Sequence, residues 1–156
     1  MRKLFVTAML LAGVSLAYAG NPSANEAVAR RVFDEIYNQG KFQVADEIYA
    51  KDFVNHGFSK DVDLAVDQAA TRGWKSAMPD IHVTVERAFN DGEYVTLIWR
   101  AQGTNTGTGN GIPATGKRVA GRGITVWRVV NGKIKEEWSE FDQLRLMQQL
   151  GLFPSQ

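Results

Sequence analysis

The chain contains no cysteine. No disulfide can brace it and no thiolate can act as nucleophile or metal ligand, so the hydrophobic core must hold the fold unaided. Histidine is nearly as scarce: only His56 and His82 occur, with no pairing at metal-ligand spacing. The sequence gives no reason to expect a metal. An excess of positive charge is missing too. Apart from Arg2 and Lys3, the remaining 16 of the 18 basic side chains face 17 acidic ones. That balance gives a phosphate backbone little to hold, which argues against nucleic-acid binding. Beyond residue 20 no apolar run is long enough to cross a bilayer. A phosphate loop is also lacking. Gly111-x-x-x-x-Gly116-Lys117 starts like one, but Arg118 stands where Ser or Thr would bind magnesium, Pro113 interrupts it, and a strand pattern follows.

What is present begins with a leader. Arg2-Lys3, the apolar stretch Leu4–Leu16 and the small-x-small site Ala17-Tyr18-Ala19 read as a secretory signal peptide over 1–19. The mature domain is then 20–156, periplasmic or secreted. With no cysteine after the cleavage site a lipid anchor is excluded, and no membrane association is expected once the leader is removed.

Along the mature chain, Ser23-x-x-Glu26 is a capping box. After it Val28, Val32, Phe33, Ile36 and Tyr37 recur at helical spacing up to Gly40. Phe42, Ala45, Ile48 and Tyr49 predict a second, shorter helix, and Phe53–His56 a brief strand or extended turn. A third helix runs from about Val62 to Met78, ended by Pro79. The period then changes to two. Ile81, Val83 and Val85 alternate with polar residues, and after Asn90-Asp91-Gly92 the residues Val95, Leu97, Trp99 and Ala101 share a face. A glycine-rich loop, Gly103–Gly116, is expected to turn and flex near a pocket mouth. Strands Val119–Val130 and Lys133–Asp142, joined at Asn131-Gly132, lead into a last helix ending Gln149-Leu150-Gly151. Helices first and strands later predict an α+β fold. Its mostly antiparallel, strongly curved sheet would form a cone with the helices packed on one face, enclosing a small-molecule pocket.

Three blocks occur in order: Tyr37-Asn38-Gln39-Gly40 through Asn55-His56; Met78-Pro79-Asp80-Ile81; and Gly111–Lys117 through Glu136-x-Trp138-x-x-x-Asp142 and Gln149-Leu150-Gly151. In this combination the chain resembles the SnoaL-like polyketide cyclases of the nuclear-transport-factor-2-like superfamily, the ester cyclase type. The resemblance implies an α+β barrel-like cone, a homodimer, and intramolecular aldol ring closure of polyketide esters without metal or organic cofactor. It makes Asp142 the general acid/base and places Asn55 and His56 in the pocket lining. Asn105 stands where many relatives carry histidine, and an amide cannot exchange a proton near neutral pH.

The residues themselves leave the roles more open. Asp142, where a strand yields to a helix, is either an acid/base whose pKa an apolar pocket raises, or a helix N-cap. His56 can position or protonate a substrate, or close the cone as a half-buried histidine. Trp99 and Trp138 are the aromatics expected beside a ligand. Glu136 shares the strand parity of Trp138 and Asp142 and is held as a further pocket carboxylate. Glu140 has the same parity but is expected at the solvent-exposed edge, unless a bulge flips the strand. Trp127 has the opposite parity to Ile124 and Val126, so one sheet face needs covering, for which a second subunit is expected. The expected ligand is a small apolar carbonyl compound. Two alternatives stand beside cyclisation: a non-catalytic extracytoplasmic binding protein for a hydrophobic metabolite, and an isomerase or hydrolase on the same scaffold.

Overall fold

A computed structural model of the chain describes residues 23–57 and 59–154. The expected leader, 1–19, lies outside the described residues. Helix α1 (Ala24–Arg31) starts where Ser23 Oγ accepts from the Glu26 amide at 3.1 Å. The Glu26 carboxylate turns to Arg30 and Asn90, so half of the capping box forms. The helix then widens into a π-helical turn, Val32–Tyr37, where the Asn38 amide donates to Phe33 O at 2.9 Å. Such wide turns are rare and often mark functional sites.

Helix α2 (Val44–Ile48) passes directly into β1 (Tyr49–His56), so the brief strand expected at Phe53 is longer than its sequence signal. β2 (Asp61–Asp63) folds back on β1, and Asp63 caps α3 (Leu64–Ala77), accepting from the Val66 amide at 3.0 Å. There follow β3 (His82–Asp91), β4 (Tyr94–Thr104), β5 (Arg118–Val130), β6 (Lys133–Phe141) and α4 (Gln143–Leu150). The six strands lie in the order β2-β1-β6-β5-β4-β3. Every pair is antiparallel except β1–β6, which is parallel. The fold is α+β, a curved sheet with helices on its inner face. There Val95, Leu97, Trp127, Val129 and Ile134 pack against Ala29, Val32, Phe33 and Ile36. Burial of such side chains contributes roughly 1.5–3 kcal/mol each, which is how a chain without disulfides holds together.

Two bulges reset the side-chain alternation. In β3, Val85 pairs with Trp99 and Arg87 with Ile98, leaving Glu86 as the extra residue. In β6, Ile134 pairs with Val129 and Glu136 with Arg128, leaving Lys135 extra. Each bulge moves every later residue of its strand to the opposite face from the one simple alternation assigns.

The loop between β4 and β5, expected to flex, is pinned along α3. The Gly107 amide donates to Ala77 O at 3.1 Å, Ser76 Oγ to Thr108 O at 2.7 Å, and Asn110 Nδ2 to Ala70 O at 3.0 Å. A Cβ at Gly109 would sit 2.0 Å from Gly73 O, so only glycine lets the loop approach the helix this closely.

Candidate functional site

Between the inner sheet face and α3 lies a cavity of about 590 Å³. Its size and largely apolar wall suit a small molecule. Three of its side chains form one row across the sheet. Glu137 on β6 is the direct partner of Trp127 on β5 and of Asn55 on β1. Directly paired residues project from the same face, so the row points inward. Trp127 Nε1 donates to Glu137 Oε2 at 2.7 Å. Asn55 Nδ2 lies 3.4 Å from Glu137 Oε1 and donates to Asp67 Oδ1 at 2.8 Å. Asp67 comes from α3, where it shares a face with Thr71 and Trp74, one and two turns on, and all three line the cavity. One amide nitrogen thus ties together two carboxyl groups from opposite walls.

Burial dominates the electrostatics. It pushes Glu137 up to about 8; the charge of Asp67 adds to the rise and the hydrogen bond from Trp127 opposes it. Burial also raises Asp67, against hydrogen bonds from Asn55 and Gln68 that pull it down. Two carboxylates this close cannot both ionise cheaply, so the pair holds one proton near neutral pH. Glu137, the more deeply buried, keeps it, and Asp67 carries the charge. Tyr37 and Tyr49 also line the cavity, and burial, reinforced by the two carboxyl groups, keeps both phenols protonated. The arrangement offers an acid and a base side by side in a largely apolar chamber. Among the described residues no group of three His, Asp or Glu side chains is placed to hold a metal.

Known proteins share this architecture. AclR from Streptomyces galilaeus, for which a hydroxylase role has been suggested, superimposes with a TM-score of 0.78 at 22% identity, covering 87% of this chain and 86% of its own. IdmH from Streptomyces antibioticus, a suggested polyketide cyclase, gives 0.71 at 24% identity over 81% of this chain and 98% of its own. A SnoaL-like polyketide cyclase from Agrobacterium tumefaciens gives 0.67 at 17% identity, again over 81% and 98%. At these identities the likeness shows the fold alone. No curated protein matches the chain in sequence. The sequence profile of the SnoaL-like polyketide cyclases, however, matches residues 27–150. The chain belongs to the SnoaL-like polyketide cyclase family.

In this SnoaL-like chain the residues picked out by sequence fall into four places. Asn55 and Trp99 line the cavity. Asp142 lies at its rim as the N-cap of α4, its Oδ1 accepting from the Arg145 amide at 2.9 Å. His56, Glu136 and Trp138 lie together on the other face of the sheet. The His56 ring stacks on Trp138 at 4.6 Å, its Nδ1 is 3.1 Å from Asp61 Oδ1, and its Nε2 is 3.7 Å from Glu136 Oε1. The physical reasons are strand alternation and the bulge. Asn55 and His56 are neighbours on β1 and point to opposite faces. The extra Lys135 turns Glu136 and Trp138 outward and Glu137 inward. Asn105 is buried away from the cavity. Its Nδ2 donates to Ala77 O at 3.1 Å and Gly107 O at 3.0 Å, and its Oδ1 accepts from the Thr115 amide at 2.9 Å. It knots the loop to α3.

Sequence reasoning missed Glu137 and Asp67. For Asp67 a signal existed: Asp67, Thr71 and Trp74 recur at the spacing of one helix face, and an acid on the face that carries a tryptophan is a pocket candidate. For Glu137 the bulge that redirects it left no comparable mark.

Proposed function

We propose that this SnoaL-like protein binds a small apolar carbonyl compound in the cavity and carries out acid–base chemistry on it without a cofactor. The observation that supports this reading is the Asp67–Glu137 pair, one proton between two carboxyl groups joined through Asn55. In an aldol-type ring closure, the Asp67 carboxylate takes a proton from a carbon beside a carbonyl. The resulting enolate carbon bonds to a second carbonyl carbon of the same molecule. Glu137 gives its proton to the oxygen of that second carbonyl, and no proton is lost overall. Groups placed this way contribute roughly 10²–10⁴-fold each. The Asn55 amide positions the two acids, and Trp99 supplies an aromatic wall. Export through the 1–19 leader places this chemistry, on the same proposal, outside the cytoplasm.

The test is deuterium uptake by a bound enolisable ketone, with parallel measurement of ligand affinity. Asp67→Asn is expected to slow exchange by at least 10²-fold, roughly the contribution of one acid–base group, while binding persists. Exchange that survives in Asp67→Asn removes the carboxylate pair from the reaction. A wild-type protein that retains ketone and never exchanges its protons is a binding protein.

A further inference from the structure

A second polar feature of the cavity takes no part in the carboxylate pair. Trp99 Nε1 donates to Thr125 Oγ1 at 3.0 Å, and Thr125 Oγ1 lies 2.8 Å from Ser139 Oγ. The local folding is legible. Thr125 and Ser139 are direct partners across β5 and β6, and Ser139 follows Glu137 by two residues on the same inward face. The Trp99 indole fits because its strand partner is Gly123, where a Cβ would meet Trp99 Cζ2 at 2.2 Å.

The direction of this chain is fixed by its first member. An indole N–H can only donate, so Thr125 Oγ1 accepts from it. Thr125 is 2% exposed, and among the described residues Ser139 Oγ is the acceptor within reach of its hydroxyl hydrogen. Reversing that bond would leave a buried hydroxyl hydrogen unpaired, at a cost the present direction avoids. Thr125 therefore donates to Ser139, and the Ser139 hydrogen is left for the cavity. Donors aligned in sequence polarise one another, which strengthens the last one.

We propose that Ser139 is a carbonyl anchor: its hydroxyl, oriented by Trp99 and Thr125, hydrogen-bonds the carbonyl oxygen of the ligand beside Asp67 and Glu137. Two residues along a strand advance about 7 Å. A carbonyl whose oxygen rests on Ser139 thereby turns its neighbouring C–H toward the carboxyl pair. When that proton leaves, negative charge grows on the oxygen that Ser139 already contacts, the place where a preset donor helps most. The walls around Ser139 narrow the ligand class. Phe141 stands between two indoles, 5.8 Å from Trp74 edge-on and 6.4 Å from Trp99. These surfaces favour a flat, ring-bearing ketone. The inference builds on the acid–base reading for its chemistry but can be tested apart from it.

The probe is 2-tetralone labelled with ¹³C at the carbonyl, bound to the full-length protein. Its infrared carbonyl band reports the hydrogen bond, and its deuterium uptake reports the acid–base step. The expected result is a band lowered in the wild type, released in Ser139→Ala and lowered again in Ser139→Thr, which restores the hydroxyl. Asp67→Asn keeps the lowered band and loses exchange. Ser139→Ala slows exchange on the order of 10²-fold, as loss of one oxyanion donor does. An unchanged band in Ser139→Ala, with exchange intact, overturns the anchor and leaves the carboxylate pair standing. A Ser139-dependent band without wild-type exchange supports the anchor and removes the acid–base reading. Failure of 2-tetralone to bind overturns both.

Discussion

Glu137 keeps its proton because its surroundings are poor at solvating charge and because Asp67 is already charged beside it. That state links stability to pH in a defined direction. The folded pKa, about 8, lies above the ordinary glutamate value of 4.5, so between these two values the native state binds more proton than the unfolded chain. The stabilisation is whole below about pH 4.5 and is lost as pH rises through 8. Denaturant unfolding should show falling stability across that window. Glu137→Gln should flatten the slope and stabilise the protein near pH 9 by on the order of 5 kcal/mol, since each pKa unit is worth about 1.4 kcal/mol. A profile that is flat in the wild type would refute the proton assignment. Ring closure of a bound dicarbonyl compound should fall over the same range, because above it Glu137 has no proton to give to the second carbonyl. Residue chemistry was only partly legible in advance. Asn55 comes from the family resemblance, and Trp99 from its position in a strand that pairs without interruption with β5. Glu137 could not be placed, because its direction depends on a neighbour, Lys135, whose bulging leaves no compositional trace.

At the scale of elements, the junction of β6 and α4 decides what Asp142 does. A carboxylate there has two demands on it, and the first turn of the helix meets one of them: the Arg145 amide donates to Asp142 Oδ1. Losing a cap costs about 1 kcal/mol, whereas Asn caps as well as Asp. Asp142→Ala should therefore lose about that much stability in thermal or denaturant unfolding, and Asp142→Asn only a few tenths. Both variants should keep deuterium exchange within a few-fold of the wild type. Exchange abolished in a stable Asp142→Asn protein would return the proton-transfer role to the rim of the cavity. The same junction explains what patterning can and cannot reveal. Alternation read correctly in β4, where Val95, Leu97, Trp99 and Ala101 all face inward, because that strand pairs without interruption with β5. Counting back from Asp142 failed in β6 because Asp142 lies one residue past the strand, where strand alternation no longer applies.

For the whole molecule, the order of helices before strands was enough to reach an α+β fold, yet it did not disclose that β1 joins the sheet parallel to β6. Parallel pairing of distant segments carries no turn signal, unlike the hairpins at Asn90–Gly92 and Asn131-Gly132. That pairing sets Asn55 beside Glu137 and so makes the site. It also leaves an outer face on the central strands, where Ile124 is 47%, Tyr94 44% and Trp138 36% exposed, and no described element covers them. The charged groups on this face come in both signs. Arg100 and Arg122 are direct strand partners, and Glu86 holds each at 3.1 Å, while Glu140 faces Ile124. An apolar centre with mixed charges at its margin is suited to packing against its own copy about a twofold axis, and we infer a homodimer formed through this face. Sedimentation of the wild type at micromolar concentration should give the dimer mass. Ile124→Glu places a charge at the centre of both copies and should yield a folded monomer that still binds 2-tetralone, since Ile124 points away from the cavity. A monomeric wild type would leave the exposed isoleucine, tyrosine and tryptophan without a partner of this kind, and a dimer that survives Ile124→Glu would have to be joined through some other surface.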